Sequence, residues 1–243
     1  MADTQVITFE GERMAAMKVI DNNNSGGGGS TDDLKREVRR RQAVECMSNE
    51  IAILARLGRH PNIIRLISAT DTRAWKHLIV EYAPHGTLHR HIERRQPRRD
   101  AGIPEREACH VIGQLVAALE YVHAHGVIHK DVKLDNVVFV TPTRCKLIDF
   151  GCACLASRPR DTGGAVGYSA PEVLVRRVKR LPETGITCKA DVWSVGVVAY
   201  ATLTGQRPFS AGPGLSECAD VLYEKARDSQ LRADTPNFCA LSR

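Results

Sequence analysis

Asp131, Lys133, Asn136 and Asp149 lie close together in the chain and offer a base, a cation and two further oxygen donors. That set suits the movement of a phosphoryl group onto a hydroxyl: one aspartate orients the alcohol and accepts its proton, and the lysine offsets charge on the transferred group. The asparagine and the second aspartate supply the oxygen ligands that a hard cation such as magnesium prefers. The first three occupy one short string, HKDVKLDN at residues 129–136, and Asp149 follows in IDFG at residues 148–151. A lone aspartate in a loop is usually a cap or turn residue. Here Asn136 stands five places after Asp131 and Asp149 eighteen places after it, with two short apolar stretches between, which is too ordered for unrelated turns.

These residues need elements to hold them. The apolar run at residues 14–20 predicts a buried strand carrying Lys18, and the Asn/Ser/Gly-rich tract at residues 21–30 predicts a connector. Its four consecutive glycines do not make a phosphate loop, because such a loop needs spaced glycines beside a strand or helix, and this tract follows the lysine strand. Thr31, Asp32 and Asp33 open a helix that continues through Ile51, Leu54 and Leu57 and carries Glu50 in its later turns. Residues 62–67 and 77–82 read as strands, and the turn at 84–86 closes the second. Beyond it, apolar residues at 108, 111, 112, 115, 116, 119 and 122 mark one face of a long helix over residues 105–125. Short strands are expected at 137–140 and 146–148, and a buried helix at 191–203. The fold class is therefore α+β, with a small strand-rich lobe over residues 1–82 and a larger, mainly helical lobe over residues 83–243.

A chain of 243 residues with 43% hydrophobic content can bury a sizeable core. The net charge of +6 gathers in residues 35–41 and 90–99; without interleaved aromatics these runs read as solvated faces and not as a nucleic-acid surface. No apolar run is long enough to span a membrane, and the first ten residues lack the pattern of a signal peptide, so a cytoplasmic protein is expected, with the nucleus as a second compartment. The eight cysteines are scattered, which favours reduced thiols over zinc ligands or disulfides. Cys152 and Cys154 form the one close pair, a candidate for redox modulation.

Across residues 14–210 the chain resembles the eukaryotic protein kinases. The resemblance rests on AMK at 16–18, HPNII at 60–64, VEYA at 80–83, HKDVKLDN, IDFG, SAPE at 169–172 and DVWS at 191–194. It implies a bilobal fold, ATP and Mg2+ as cofactors and protein substrates. It also implies that Lys18 contacts the α and β phosphates and that Glu50 holds Lys18. Backbone groups of Glu81 and Ala83 would meet adenine, Val80 would line the back of the pocket, and Val138 would join the nucleotide site. Asp131 becomes the catalytic base, Lys133 the γ-phosphate contact, and Asn136 and Asp149 the metal ligands. Lys133 two places after the base resembles Ser/Thr kinases, and HPNIIRL and the stretch at 191–209 resemble the calcium/calmodulin-kinase-like and AMP-activated-kinase-like branches. The activation segment would run from Asp149 to Glu172, with Thr162 and Ser157 as modifiable hydroxyls, Lys130 in place of the usual arginine, and Asp161 as a built-in acidic substitute.

Four positions depart from the family pattern. The glycine-rich loop does not appear in the seventeen residues before Lys18, where Gly11 is the sole glycine, so weaker nucleotide binding is expected. Thr87 stands where many relatives place an acidic ribose contact, which implies a weaker sugar contact. Ala165 replaces a threonine whose hydroxyl would bond the catalytic aspartate, so Asp131 is expected to be held less firmly. The chain ends about where the family's last helices begin, so Glu172 is expected to lack an ion partner, at roughly 3–5 kcal/mol for an orphaned buried charge. Two readings follow: a Ser/Thr protein kinase, or a pseudokinase or inactive fragment that acts as a binding module. A small-molecule kinase is disfavoured by SAPE, which belongs to a peptide-substrate platform.

Overall fold

In the computed structural model, which describes residues 3–9, 13–21, 31–95, 102–158, 163–181, 185–209 and 219–228, the N-terminal part is a four-stranded antiparallel sheet with one long helix packed on it. Strands β1 (Asp3–Phe9), β2 (Arg13–Asp21), β3 (Leu66–Asp71) and β4 (Trp75–Glu81) lie in the order β1-β2-β4-β3. Lys18 sits opposite Leu78 in the β2–β4 ladder, and Ala16 sits opposite Val80. Helix α1 (Thr31–Leu57) starts with Asp32 and Asp33 at its positive end. It stops at Gly58, whose φ of +66° lets its N–H turn back to the Leu54 carbonyl at 3.1 Å.

Strand β1 has no counterpart among the sequence expectations. It is an edge strand with Val6 49% exposed, so it shows no buried-face alternation to read. The strand expected at 62–67 also moves. Ile63 and Ile64 are buried, but the Leu147 N–H donates to the Asn62 carbonyl (2.9 Å) and the Ile64 N–H to the Leu147 carbonyl (3.0 Å). This stretch is thus stitched to the catalytic half, and β3 begins only at Leu66.

The second half contains α2 (Leu88–Arg94), α3 (Glu105–Ala124), α4 (Pro171–Val178), α5 (Lys189–Thr204) and α6 (Ala219–Asp228). Two small antiparallel pairs, β5 (Val127–Ile128) with β8 (Cys154–Leu155) and β6 (Val137–Phe139) with β7 (Cys145–Leu147), flank the catalytic strings. One continuous apolar core runs from Leu54 and Leu78 through Leu147 and Phe150 to Leu115 and Val198. Beyond the stretch at 191–209, α6 packs on α4 and buries Leu222. Among the described residues no helix is long and apolar enough to cross a membrane.

Candidate active site

The catalytic string is held by a carboxylate far away in the sequence. Asp191, fully buried at the start of α5, accepts hydrogen bonds from the backbone N–H of His129 (2.9 Å) and of Lys130 (2.8 Å) and pairs with His123 Nε2 (2.8 Å). This grip matters because Lys130 has a φ of +67°, a left-handed conformation that costs a non-glycine residue about 1–3 kcal/mol unless the surroundings enforce it. His129 is buried, its Nε2 faces the Ile148 carbonyl at 3.1 Å, and its Nδ1 accepts from the Asp131 N–H at 3.3 Å. The imidazole therefore bridges the catalytic string to the strand leading into Asp149.

Asp131 is itself 6% exposed and held by three donors. Lys133 Nζ (2.6 Å) and Asn136 Nδ2 (3.0 Å) donate to Oδ2, and the Ala165 backbone N–H (2.8 Å) donates to Oδ1. The expectation of a loosely held Asp131 is thereby corrected: a main-chain N–H at position 165 supplies a contact where a side-chain hydroxyl is missing. Burial opposes the charge on Lys133, but the bond to Asp131 and the charges of Asp131, Asp149 and Asp135 together outweigh it and raise the ammonium pKa above the ordinary 10.5. A cationic Lys133 bonded to the Asp131 carboxyl group suits a pair that would face a phosphoryl group and an alcohol.

Lys18 reaches the site from β2. Its Nζ lies 2.8 and 3.0 Å from the two carboxylate oxygens of Glu50 on α1, and 3.8 Å from Asp149 Oδ1. Burial works against the Lys18 charge, yet the Glu50 and Asp149 carboxylates outweigh it and raise its pKa. Burial likewise pushes the Glu50 carboxyl up, and Lys18 pulls it back. Asp149 is a second left-handed non-glycine residue, at φ +65°, and its side chain is 42% exposed toward Lys18. The following Phe150 is fully buried, edge-on to His129 with ring centroids 4.7 Å apart.

The donor set fits magnesium. The Asn136 amide nitrogen is spent on the Asp131 carbonyl (2.8 Å) and carboxylate (3.0 Å), which leaves its oxygen as the group for a cation. No cluster of three His, Cys, Asp or Glu exists among the described residues. One amide and one carboxylate match the habit of Mg2+ of taking a few protein oxygens together with substrate phosphates.

At the edge of β4, the Glu81 N–H is used by the Arg65 carbonyl (3.0 Å), so an adenine contact there would fall to the Glu81 carbonyl; among the described residues the Ala83 N–H has no acceptor. Val80 and Val138, 8% and 7% exposed, sit on β4 and β6. Thr87 has a local structural task. Its hydroxyl caps α2 by accepting from the Arg90 N–H at 3.2 Å.

Asp161 and Thr162 lie outside the described residues, while Ser157 is exposed. Glu172 is exposed on α4 and forms no ion pair among the described residues, so the cost expected for a buried orphan does not arise. Redox modulation through Cys152 and Cys154 loses its basis. Burial, reinforced by Asp131 and Asp149, pushes the Cys152 thiol up to about 12, and Cys154 is buried.

Three supporting residues were not singled out from the sequence. Asn49, beside Glu50, donates from Nδ2 to the carbonyls of Phe150 (3.2 Å), Gly151 (3.2 Å) and Ala153 (2.7 Å). Lys146, only 8% exposed, lies 2.8 Å from the Glu81 carboxylate and donates to the Ile63 carbonyl at 3.2 Å. Arg177 contacts the segment next to Ala165. A buried lysine position between apolar neighbours in CKLI was the one available signal for these.

A strand-borne lysine paired to a helix glutamate, set over a loop of Asp, Lys and Asn and a second Asp, is the constellation of a protein kinase domain. Residues 5–239 match the family model described as the protein kinase domain, and the chain belongs to that family. It is 37% identical over 182 residues to CBL-interacting protein kinase 25 of Oryza sativa subsp. japonica, covering 72% of this chain and 34% of that protein. It is 38% identical over 180 residues to the human hormonally up-regulated neu tumor-associated kinase, covering 71% of this chain and 23% of that protein. It is 34% identical over 165 residues to serine/threonine-protein kinase GIN4 of Saccharomyces cerevisiae, covering 67% of this chain and 14% of that protein. The chain spans about a third or less of the length of these curated relatives.

Proposed function

We propose that this chain is the catalytic domain of a Ser/Thr protein kinase that transfers the γ-phosphate of ATP to hydroxyls of protein substrates. One observation carries the reading: Asp131 is buried and held by three donors, while Lys18 is paired with Glu50 and lies 3.8 Å from Asp149. In kinases the lysine–glutamate pair and the metal-binding aspartate must both be in place. In this reading Lys18 binds the nucleotide phosphates, Glu81 and Ala83 offer backbone groups to adenine, Val80 lines the back of the pocket, and Val138 joins the nucleotide site. Asn136 and Asp149 hold magnesium, which when bound neutralises charge on the phosphates. Asp131 orients the substrate hydroxyl and takes its proton, and Lys133 steadies the transferred group. The two lobes meet at residues 82–83, just after β4.

The test is transfer of radiolabelled phosphate from Mg-ATP to a generic basic protein by the chain, by Asp149→Asn and by Asp131→Asn. Transfer by the wild type that both variants abolish is expected. A folded wild type that binds nucleotide but transfers no more than Asp131→Asn would replace this reading with the pseudokinase one.

A further inference from the structure

The segment that reaches Asp131 does so through one peptide unit, and both ends of that unit are gripped. The Ala165 N–H donates to Asp131 Oδ1 at 2.8 Å. The carbonyl of the same peptide, Gly164 O, accepts from Arg177 Nη1 at 3.0 Å, and the preceding Gly163 carbonyl accepts from Nη2 at 2.5 Å. A peptide unit is planar, and in the trans form its C=O and N–H point in opposite directions. Fixing the carbonyl on Arg177 therefore fixes the direction of the N–H toward Asp131.

The local sequence makes that restraint necessary. Gly163 and Gly164 have φ of +82° and +117°, and two adjacent glycines leave a peptide plane easy to rotate. Substitution cannot stiffen the bend from within. A Cβ on Gly164 would lie 2.5 Å from the Lys130 carbonyl and 3.2 Å from Arg177 Nη2, so the backbone there is sandwiched between the catalytic string and the guanidinium. On the far side, the Ala165 carbonyl accepts from Ser169 Oγ and from the Tyr168 N–H, each at 3.0 Å. The planar fork of arginine can reach two successive carbonyls at once, which a lysine ammonium cannot match in geometry. A cation on the carbonyl also polarises the peptide and strengthens the N–H as a donor.

We propose that Arg177, on α4, is a positioning residue for the phosphoryl-transfer step: it orients the Gly164–Ala165 peptide so that the Ala165 N–H holds Asp131. This rests on the kinase reading above. It assigns to Arg177 a role that a side-chain hydroxyl at position 165 would share if one were present.

The test has two arms. In steady-state transfer assays, Arg177→Gln lowers kcat by about ten- to a hundredfold, the worth of one hydrogen bond to a charged group, and leaves KM for ATP within about twofold. Arg177→Lys falls between wild type and Arg177→Gln. Ala165 has φ −72°, which a proline ring accommodates, so Ala165→Pro removes the N–H; in that background Arg177→Gln costs little more, because the two act in series. The second arm needs no turnover. In an amide NMR spectrum, the Ala165 N–H signal shifts in Arg177→Gln and in Asp131→Asn. An unmoved Ala165 signal in Arg177→Gln overturns the proposal. So does a wild-type kcat in Arg177→Gln when Asp131→Asn is dead. A wild type no faster than Asp131→Asn overturns the kinase reading instead, and the amide signal still decides whether Arg177 orients the peptide.

Discussion

Replacing Glu50 with glutamine separates what the Lys18–Glu50 pair does for chemistry from what it does for folding. Glutamine keeps the shape and one acceptor but removes the charge from a site only 4% exposed. Taking one partner from a buried ion pair costs roughly 3–5 kcal/mol. The figure for folding is smaller here, since Lys18 keeps 24% of its side-chain surface in solvent and has Asp149 as a second partner 3.8 Å away; what Lys18 loses toward a phosphate is the worth of a hydrogen bond to a charged group, about 2–3 kcal/mol. That second partner sets where the loss is felt. Without Glu50, Lys18 closes on Asp149 and occupies the carboxylate proposed to hold magnesium. The expected result is a fall in kcat/KM for ATP of about thirty- to a hundred-and-fifty-fold. Stability changes much less, by under about 1 kcal/mol, because burial already disfavours the Glu50 carboxylate and glutamine relieves that penalty. Initial rates over a range of ATP concentrations, beside urea unfolding of both proteins, measure the two quantities. Unchanged kcat/KM, or a loss of stability large enough to account for all the missing activity, would refute the reasoning.

Other consequences are as open to measurement. Asn49→Ala strips the donor shared by the carbonyls of Phe150, Gly151 and Ala153; urea unfolding should show a loss of about 1–3 kcal/mol, and amide exchange at residues 150–153 should quicken. Because Glu50 and Asp149 outweigh burial and raise the Lys18 pKa, its contribution to stability is complete below the ordinary lysine value of 10.5 and lost as pH rises through the folded value; the stability gap between wild type and Lys18→Met should stay level from neutral pH to about 10.5 and shrink above it. Burial holds the thiols of Cys145 and Cys152 at about 12 while Cys109 is exposed, so alkylation of the folded protein at pH 8, mapped by mass spectrometry, should label Cys109 well before the other two.

The residues that meet in the site were legible because their spacing is tied to chemistry: Asp131, Lys133 and Asn136 must share one loop, and Asp149 must return to it. Long elements with one buried face, such as α3 and the later turns of α1, were also readable from apolar periodicity. What the sequence could not reveal are contacts made by the main chain. Position 165 looked deficient because only a side chain was considered, whereas its N–H does the holding. The cap that Thr87 gives α2 is likewise hidden, because a capping hydroxyl and a ligand hydroxyl are the same letter. Asn62–Ile64 looked like sheet because an apolar run states that it is buried and not against what. Asn49 and Arg177 act on carbonyls 101 and 13 residues away, and nothing in the spacing of their neighbours announces those partners.

Helix α1 is tied down over its last three turns: Asn49 holds the carbonyls of Phe150, Gly151 and Ala153, Glu50 about 100° further round the axis holds Lys18 of β2, Arg56 reaches the His125 carbonyl, and the Leu57 carbonyl accepts from Tyr121 Oη. Two anchors set at such an angle remove rotation about the axis as well as sliding along it. The turns ahead of these anchors carry no such tie to the second half among the contacts described above. From residue 49 to the start at Thr31 the helix runs about 27 Å, and its first three turns stand in solvent with Leu34 63% and Val38 54% exposed. The tied end of this arm sits on Lys18 and on the turn after Asp149, so whatever binds the exposed far end is connected to both through one rigid element.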